Sequence, residues 1–149
     1  LAVIATDISS GDRVVIDHGP VAQAVMASTC IPGIFKPVKI DGRYLVDGGI
    51  VENIPIKTTR KLGAKYVIGV DLNGKHSYQK PNNLLDVIIN SFHFLMQHAE
   101  KFQAEKADLL IQPDLSGFNR SDTGQVEQLI QRGYEDSKKA LTATMDTDS

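Results

Sequence analysis

Short apolar runs alternate with amphipathic stretches along the whole chain. Leu1 to Thr6 is an apolar run of strand length, Ser9-Ser10-Gly11-Asp12 is turn chemistry, and Arg13 to Asp17 reads as a returning strand. After Gly19-Pro20 the spacing becomes helical: Val21, Ala24, Val25 and Ser28 share one face of a helix running from Val21 to Thr29. Pro20 suits its first turn, and Pro32-Gly33 stops it. Val38-Lys39-Ile40 and Arg43 to Val46 flank Asp41-Gly42, the signature of a type I′ hairpin. Ile50 to Ile54 reads as loop. Pro55 opens a helix through Leu62, with Gly63 as its stop. Tyr66 to Val70 is continuously apolar, as in a parallel strand covered on both faces.

Lys75 to Asn83 is polar and contains Pro81, so it is expected to be loop. A long helix follows from about Leu84 to Lys106, with Leu85, Ile88, Ile89, Phe92, Leu95 and Met96 as its apolar stripe. Leu109-Leu110-Ile111 is a further strand, closed by Pro113. Asp122 suits the N-cap of a last amphipathic helix from Gly124 to Leu141, and the polar tail is expected to fray. This strand–helix alternation predicts an α/β sheet with helices on its faces.

A length of 149 residues, 42% of them hydrophobic, suffices for one domain with a real core. The net charge of −2 argues against a polyanion as partner, so no nucleic acid is expected. A single cysteine, Cys30, cannot form an internal disulfide and carries no sign of an oxidising compartment. No apolar run reaches membrane-spanning length. The chain opens without Met, directly in a strand-like run, which leads us to expect a fragment or a processed piece.

The most suggestive chemistry lies at Asp47-Gly48-Gly49, where a short apolar strand ends in a carboxylate. A carboxylate shielded at a strand end can have its pKa raised toward working pH and take a proton from a hydroxyl. Glycines beside it remove Cβ clashes and permit a close backbone approach. On the tripeptide alone a second reading stands, a loop aspartate that caps a turn. Asp41-Gly42, the same dipeptide between two strands, is read as purely structural. His18, His76, His93 and His98 show no metal-ligand spacing and are read as surface or structural, and no cofactor or metal is expected. Ser28 is an ordinary helix-end serine, Cys30 a buried, inert thiol, and no Gly-x-Ser-x-Gly elbow or phosphate-binding glycine loop occurs.

Several blocks together go further. They are Ala5-Thr6-Asp7-Ile8 with Gly11, Ala27-Ser28-Thr29-Cys30-Ile31-Pro32-Gly33-Ile34-Phe35-Lys36-Pro37-Val38, Leu45-Val46-Asp47-Gly48-Gly49-Ile50-Val51-Glu52-Asn53-Ile54-Pro55, Leu62-Gly63-Ala64 and Val67-Ile68-Gly69-Val70-Asp71-Leu72. In this order and spacing they resemble the C-terminal half of the bacterial patatin-like phospholipases. Ile111 to Leu115 and Gly133-Tyr134 are also similar to the bacterial members.

The resemblance implies a three-layer α/β/α fold with a mostly parallel sheet, present here as its C-terminal half. It implies hydrolysis of lipid acyl esters by a Ser-Asp dyad without histidine. Only the aspartate carries over, onto Asp47; Gly48, Gly49 and Asn53 would support its loop. The nucleophile elbow and the oxyanion loop would lie before Leu1, so these residues alone are expected to be inactive and to pack against their own N-terminal segment. The implied substrate is a phospholipid or other fatty-acyl ester, with transient membrane-surface contact, in a cytoplasmic or membrane-associated protein. The alternatives are a non-catalytic lipid-binding or regulatory module of the same fold, and an ordinary α/β domain in which Asp47 caps a turn.

Overall fold

The structure is a computed structural model that describes residues 1–73, 80–104, 106–119 and 122–147; among these, side chains are described outside 98–104 and 145–147. Two sheets organise it. The first has the order β2-β1-β4-β3 and is antiparallel throughout. The second is a parallel pair, β5 with β6. Within the described residues, therefore, the expectation of a mostly parallel sheet holds for β5–β6 and not for the four-stranded sheet. The reason is the short connections. β1 (Val3–Asp7) returns as β2 (Arg13–Ile16) and β3 (Val38–Ile40) returns as β4 (Arg43–Asp47), and hairpin-length links join only antiparallel strands.

The hairpin between β3 and β4 turns at Asp41-Gly42, both with positive φ (49° and 79°). This is the backbone that a type I′ turn demands. Leu45 and Val46 of β4 are buried, as are Ala5 and Thr6 of β1. The first core joins Ala5, Ala27 and Leu45, with Val14, Ile16, Val38 and Ile40 packed around them. Ala27 belongs to α1 (Val21–Ser28), which buries Ala24 and Ala27. Of the expected face through Val21, Ala24, Val25 and Ser28, Ala24 is buried as expected, whereas Val21 and Val25 are exposed. Small alanines let α1 lie close to the sheet, and proximity outweighs the larger apolar area of the valines.

The second core joins Ile54, Ile56 and Val67, with Ala64, Ala107 and Leu110 around it. Ile56 opens α3 (Ile56–Lys61), and β5 spans Ile68–Val70. A Cβ at Gly69 would sit 3.0 Å from Ile56 Cδ1, so glycine allows α3 to press on the strand. α4 (Leu84–Ala104) carries the crossover to β6 (Leu109–Ile111), which a parallel pair requires. Ile68 and Val70 are about half exposed, so among these residues β5 is covered on one face rather than both. The expected stripe of α4 is likewise only partly covered: Met96 is buried, whereas Leu85, Ile88 and Leu95 are exposed. Asp122 does accept from the Gly124 N–H, capping a single 3₁₀ turn. From there α5 runs Val126–Thr147, past the expected end at Leu141. His76 lies outside the described residues, as does the side chain of His98.

Candidate active site

Asp47 is the last residue of β4, paired with Ala5 on the neighbouring strand β1. Its backbone is held on three sides. The Asp47 N–H donates to the Cys30 carbonyl (2.9 Å), the Thr6 hydroxyl donates to the Asp47 carbonyl (2.8 Å), and the Gly48 N–H donates to the Ser28 carbonyl (3.2 Å). Ser28 thus enters the site through its carbonyl. Cys30 is buried and its Sγ lies 3.4 Å from the Lys36 carbonyl. Burial, and then the nearby charge of Asp47, push its thiol pKa up, which agrees with an inert thiol.

The carboxylate of Asp47 is partly buried. Burial raises its pKa above the ordinary aspartate value, and the Gly49 N–H, donating to Oδ1 at 2.8 Å, offsets only part of that rise. Among the described residues this N–H is the one donor to the carboxylate. Oδ2 is therefore able to accept a further proton donor.

Both glycines are places of close approach, with different neighbours. One step past the Ala5–Asp47 pair the chain leaves the sheet and turns over β1. A Cβ at Gly48 would lie 2.1 Å from the Ile4 carbonyl oxygen, although its φ of −73° suits any residue. A Cβ at Gly49 would meet Met96 Sδ at 2.5 Å, Asn53 Oδ1 at 2.9 Å and Asp47 Oδ1 at 3.0 Å. The structure thus brings Asp47, Gly48, Gly49 and Asn53 together, with oxygens of Asp47 and Asn53 both facing the Gly49 α-carbon.

The stretch expected as loop after Gly49 is instead a single helical turn, α2 (Gly49–Glu52). Its last residue was not among the expected site residues. Glu52 is 4% exposed and bonded on both oxygens. Arg13 Nη1 reaches Oε2 at 2.6 Å, the Thr58 N–H donates to Oε1 at 3.1 Å, and the Thr58 hydroxyl donates to Oε2. Burial alone would raise the Glu52 pKa; Thr58 and then Arg13 overcome it and hold the group below the ordinary glutamate value. The two neighbouring carboxylates are thus pushed in opposite directions, Asp47 toward its protonated form and Glu52 toward its charged form. The local signal for Glu52 is an acid inside the apolar run Ile50 to Ile54. Nothing local marks Arg13, which is 39 positions away.

A separate apolar groove of about 530 Å³ lies beyond the C-terminal ends of β5 and β6, between Leu72, Pro113, Phe118, Leu129 and Ile130. None of the expected site residues lines it.

Comparison with known proteins agrees with the motifs. Residues 2–60, which hold both the Pro-Gly block and the Asp-Gly-Gly block, match the family described as patatin-like phospholipase. Over that stretch the chain carries the patatin-like phospholipase pattern, in agreement with the family that the residues resemble. An uncharacterized NTE family protein of Mycobacterium tuberculosis is 39% identical over 74 residues, 50% of this chain and 21% of the relative. A second from that species is 24% identical over 168 residues, 96% of this chain and 29% of the relative. Lysophospholipase NTE1 of Meyerozyma guilliermondii is 28% identical over 102 residues, 64% of this chain and 7% of the relative. The chain therefore spans less than a third of these relatives' length. No helix among the described residues is long and apolar enough to cross a membrane.

Proposed function

We propose that this chain supplies the acid–base carboxylate of a lipid acyl-ester hydrolase, and that Asp47 is that group. The observation that carries the reading is Asp47 itself, a strand-end carboxylate whose pKa burial raises and whose Oδ2 is able to accept. The family match and the name lysophospholipase on a relative support an acyl ester of a lipid as the substrate class. In the proposed reaction a serine outside residues 1–149 attacks the ester carbonyl. Its Oγ–C bond forms as its proton passes to Asp47. The alcohol leaves with that proton, and Asp47 then takes a proton from the water that releases the acyl group. Gly48 and Gly49 let the Asp47 turn sit close to its surroundings, and Asn53 helps to hold it.

The exposed apolar residues of α4 and β5 fit a further reading: in the whole protein they pack against the rest of a three-layer α/β/α domain that also holds the serine and the oxyanion donors. Residues 1–149 alone are then inactive, because both nucleophile and donors are needed.

The test is Asp47→Asn in the full-length protein, assayed on a fatty-acyl ester, with circular dichroism to check the fold. Loss of hydrolysis in a folded variant is expected. Retained hydrolysis would leave Asp47 a turn residue. A full-length protein without a Gly-x-Ser-x-Gly serine would point to the lipid-binding module instead.

A further inference from the structure

We propose that Glu52 is a positioning residue for Asp47: clamped by Arg13 and Thr58, it locks the turn from Gly48 to Asn53 and so fixes where the Asp47 carboxylate points. This rests on the reading of Asp47 as the acid–base group.

The turn cannot hold itself. α2 is one turn long, has no side-chain cap at its start, and is closed by the N–H groups of Val51 and Glu52 donating to the Gly48 carbonyl (3.2 and 2.9 Å). A helix this short is not stable on its own and takes its order from what grips its ends. At the start the grip is on the backbone, through Thr6 and Ser28. At the end it is on the Glu52 side chain, through Arg13 and Thr58. The two grips share an origin. Arg13 stands directly opposite Thr6 in the β1–β2 register, so one cross-strand pair holds both ends of the turn, Thr6 at the Asp47 carbonyl and Arg13 at Glu52. Thr58 adds α3 as a third support.

A charge at this position is not explained by packing. Replacing a buried ion pair with apolar side chains of similar volume is often neutral or stabilising. A glutamate with three directed donors instead specifies one orientation of the turn. That orientation reaches Asp47 directly, because the N–H on Oδ1 belongs to Gly49, the first residue of the same turn.

The experiment compares Glu52→Gln, Arg13→Lys and Asp47→Asn with wild type in the full-length protein. The readouts are kcat and KM for p-nitrophenyl butyrate below the unfolding range, and hydrogen exchange of the Gly49 and Glu52 amides. Glu52→Gln keeps an acceptor for Thr58 and loses the charge facing Arg13; Arg13→Lys keeps the charge and loses the fork. For a positioning residue, Glu52→Gln lowers kcat about 10–100-fold with KM little changed. Arg13→Lys falls between it and wild type, and exchange at Gly49 speeds up in both while the β1–β4 amides stay protected. Wild-type kcat and unchanged Gly49 exchange in folded Glu52→Gln would overturn the proposal, as would a loss of stability with kcat intact. Should Glu52→Gln not fold, Arg13→Lys carries the same two outcomes. Where the ester is not hydrolysed, the exchange measurement decides alone. If Asp47→Asn is inactive and the clamp variants are unaffected, only the positioning role fails; if Asp47→Asn is fully active, the acid–base reading itself fails and this role with it.

Discussion

Asp-Gly occurs at 41–42 and again at 47–48, at the two ends of one strand, β4, and the two copies use glycine for different reasons. At the hairpin tip the backbone is left-handed at both positions, and a Cβ on Gly42 would meet nothing within 4 Å. Glycine is there for its conformational freedom. At Gly48 the conformation is ordinary, but the space is taken by the Ile4 carbonyl. Glycine is there for its missing side chain. The aspartates differ in the same way. Asp41 is exposed beside its turn, whereas Asp47 is drawn into the fold far enough for burial to raise its pKa. A dipeptide therefore names a local capability, and the neighbours decide which use is made of it.

The comparison can be broken most sharply on activity. Asp47→Asn in the full-length protein should lower kcat about 10²–10⁴-fold, the usual contribution of a general base, while Asp41→Asn leaves turnover unchanged; equal losses would end the contrast. Stability separates the glycines next. Gly48→Ala drives a methyl into a backbone oxygen that has no flexible arm to yield, so it should cost about 3 kcal/mol in urea unfolding, the upper end for overpacking. Gly42→Ala pays only for left-handed backbone, about 1–2 kcal/mol. A larger loss at Gly42 would refute the close-approach account of Gly48.

The smallest effects lie in pH. Because burial raises the Asp47 pKa above its unfolded value, its ionised form opposes folding, and this penalty appears as pH rises through the folded pKa. Asp47→Asn should match wild type in acid and be the more thermostable at neutral pH, read as melting temperature against pH. Glu52 has the opposite sign. Its folded pKa is lowered, so its contribution is present above the unfolded carboxylate range and is lost as pH falls through the folded value. Glu52→Gln should therefore flatten the acid limb of the thermal stability profile, read as melting temperature against pH.

Much of this was legible residue by residue. The turn at Asp41-Gly42, the cap at Asp122 and the strand at Leu109–Ile111 are set by neighbours in sequence, so local propensity finds them. The face expected for α1 is right at Ala24, which is buried, and wrong at Val21 and Val25, where the more apolar side chains stay exposed while Ala27 packs on the sheet; only the sheet could say that closeness mattered more. The helical turn after Gly49 looks like loop in the sequence because a one-turn helix carries no periodicity.

What the sequence determined by itself is therefore short-range: the apolar runs, the turns, and the blocks over residues 2–60 that match the patatin-like phospholipase family. What only the tertiary structure decided is long-range. It set the antiparallel order of the first sheet, the space denied to a side chain at Gly48, and the meeting of Arg13 with Glu52 across 39 positions. Period and propensity act over a few residues, whereas strand register and ion pairing depend on segments that only the folded chain brings into contact.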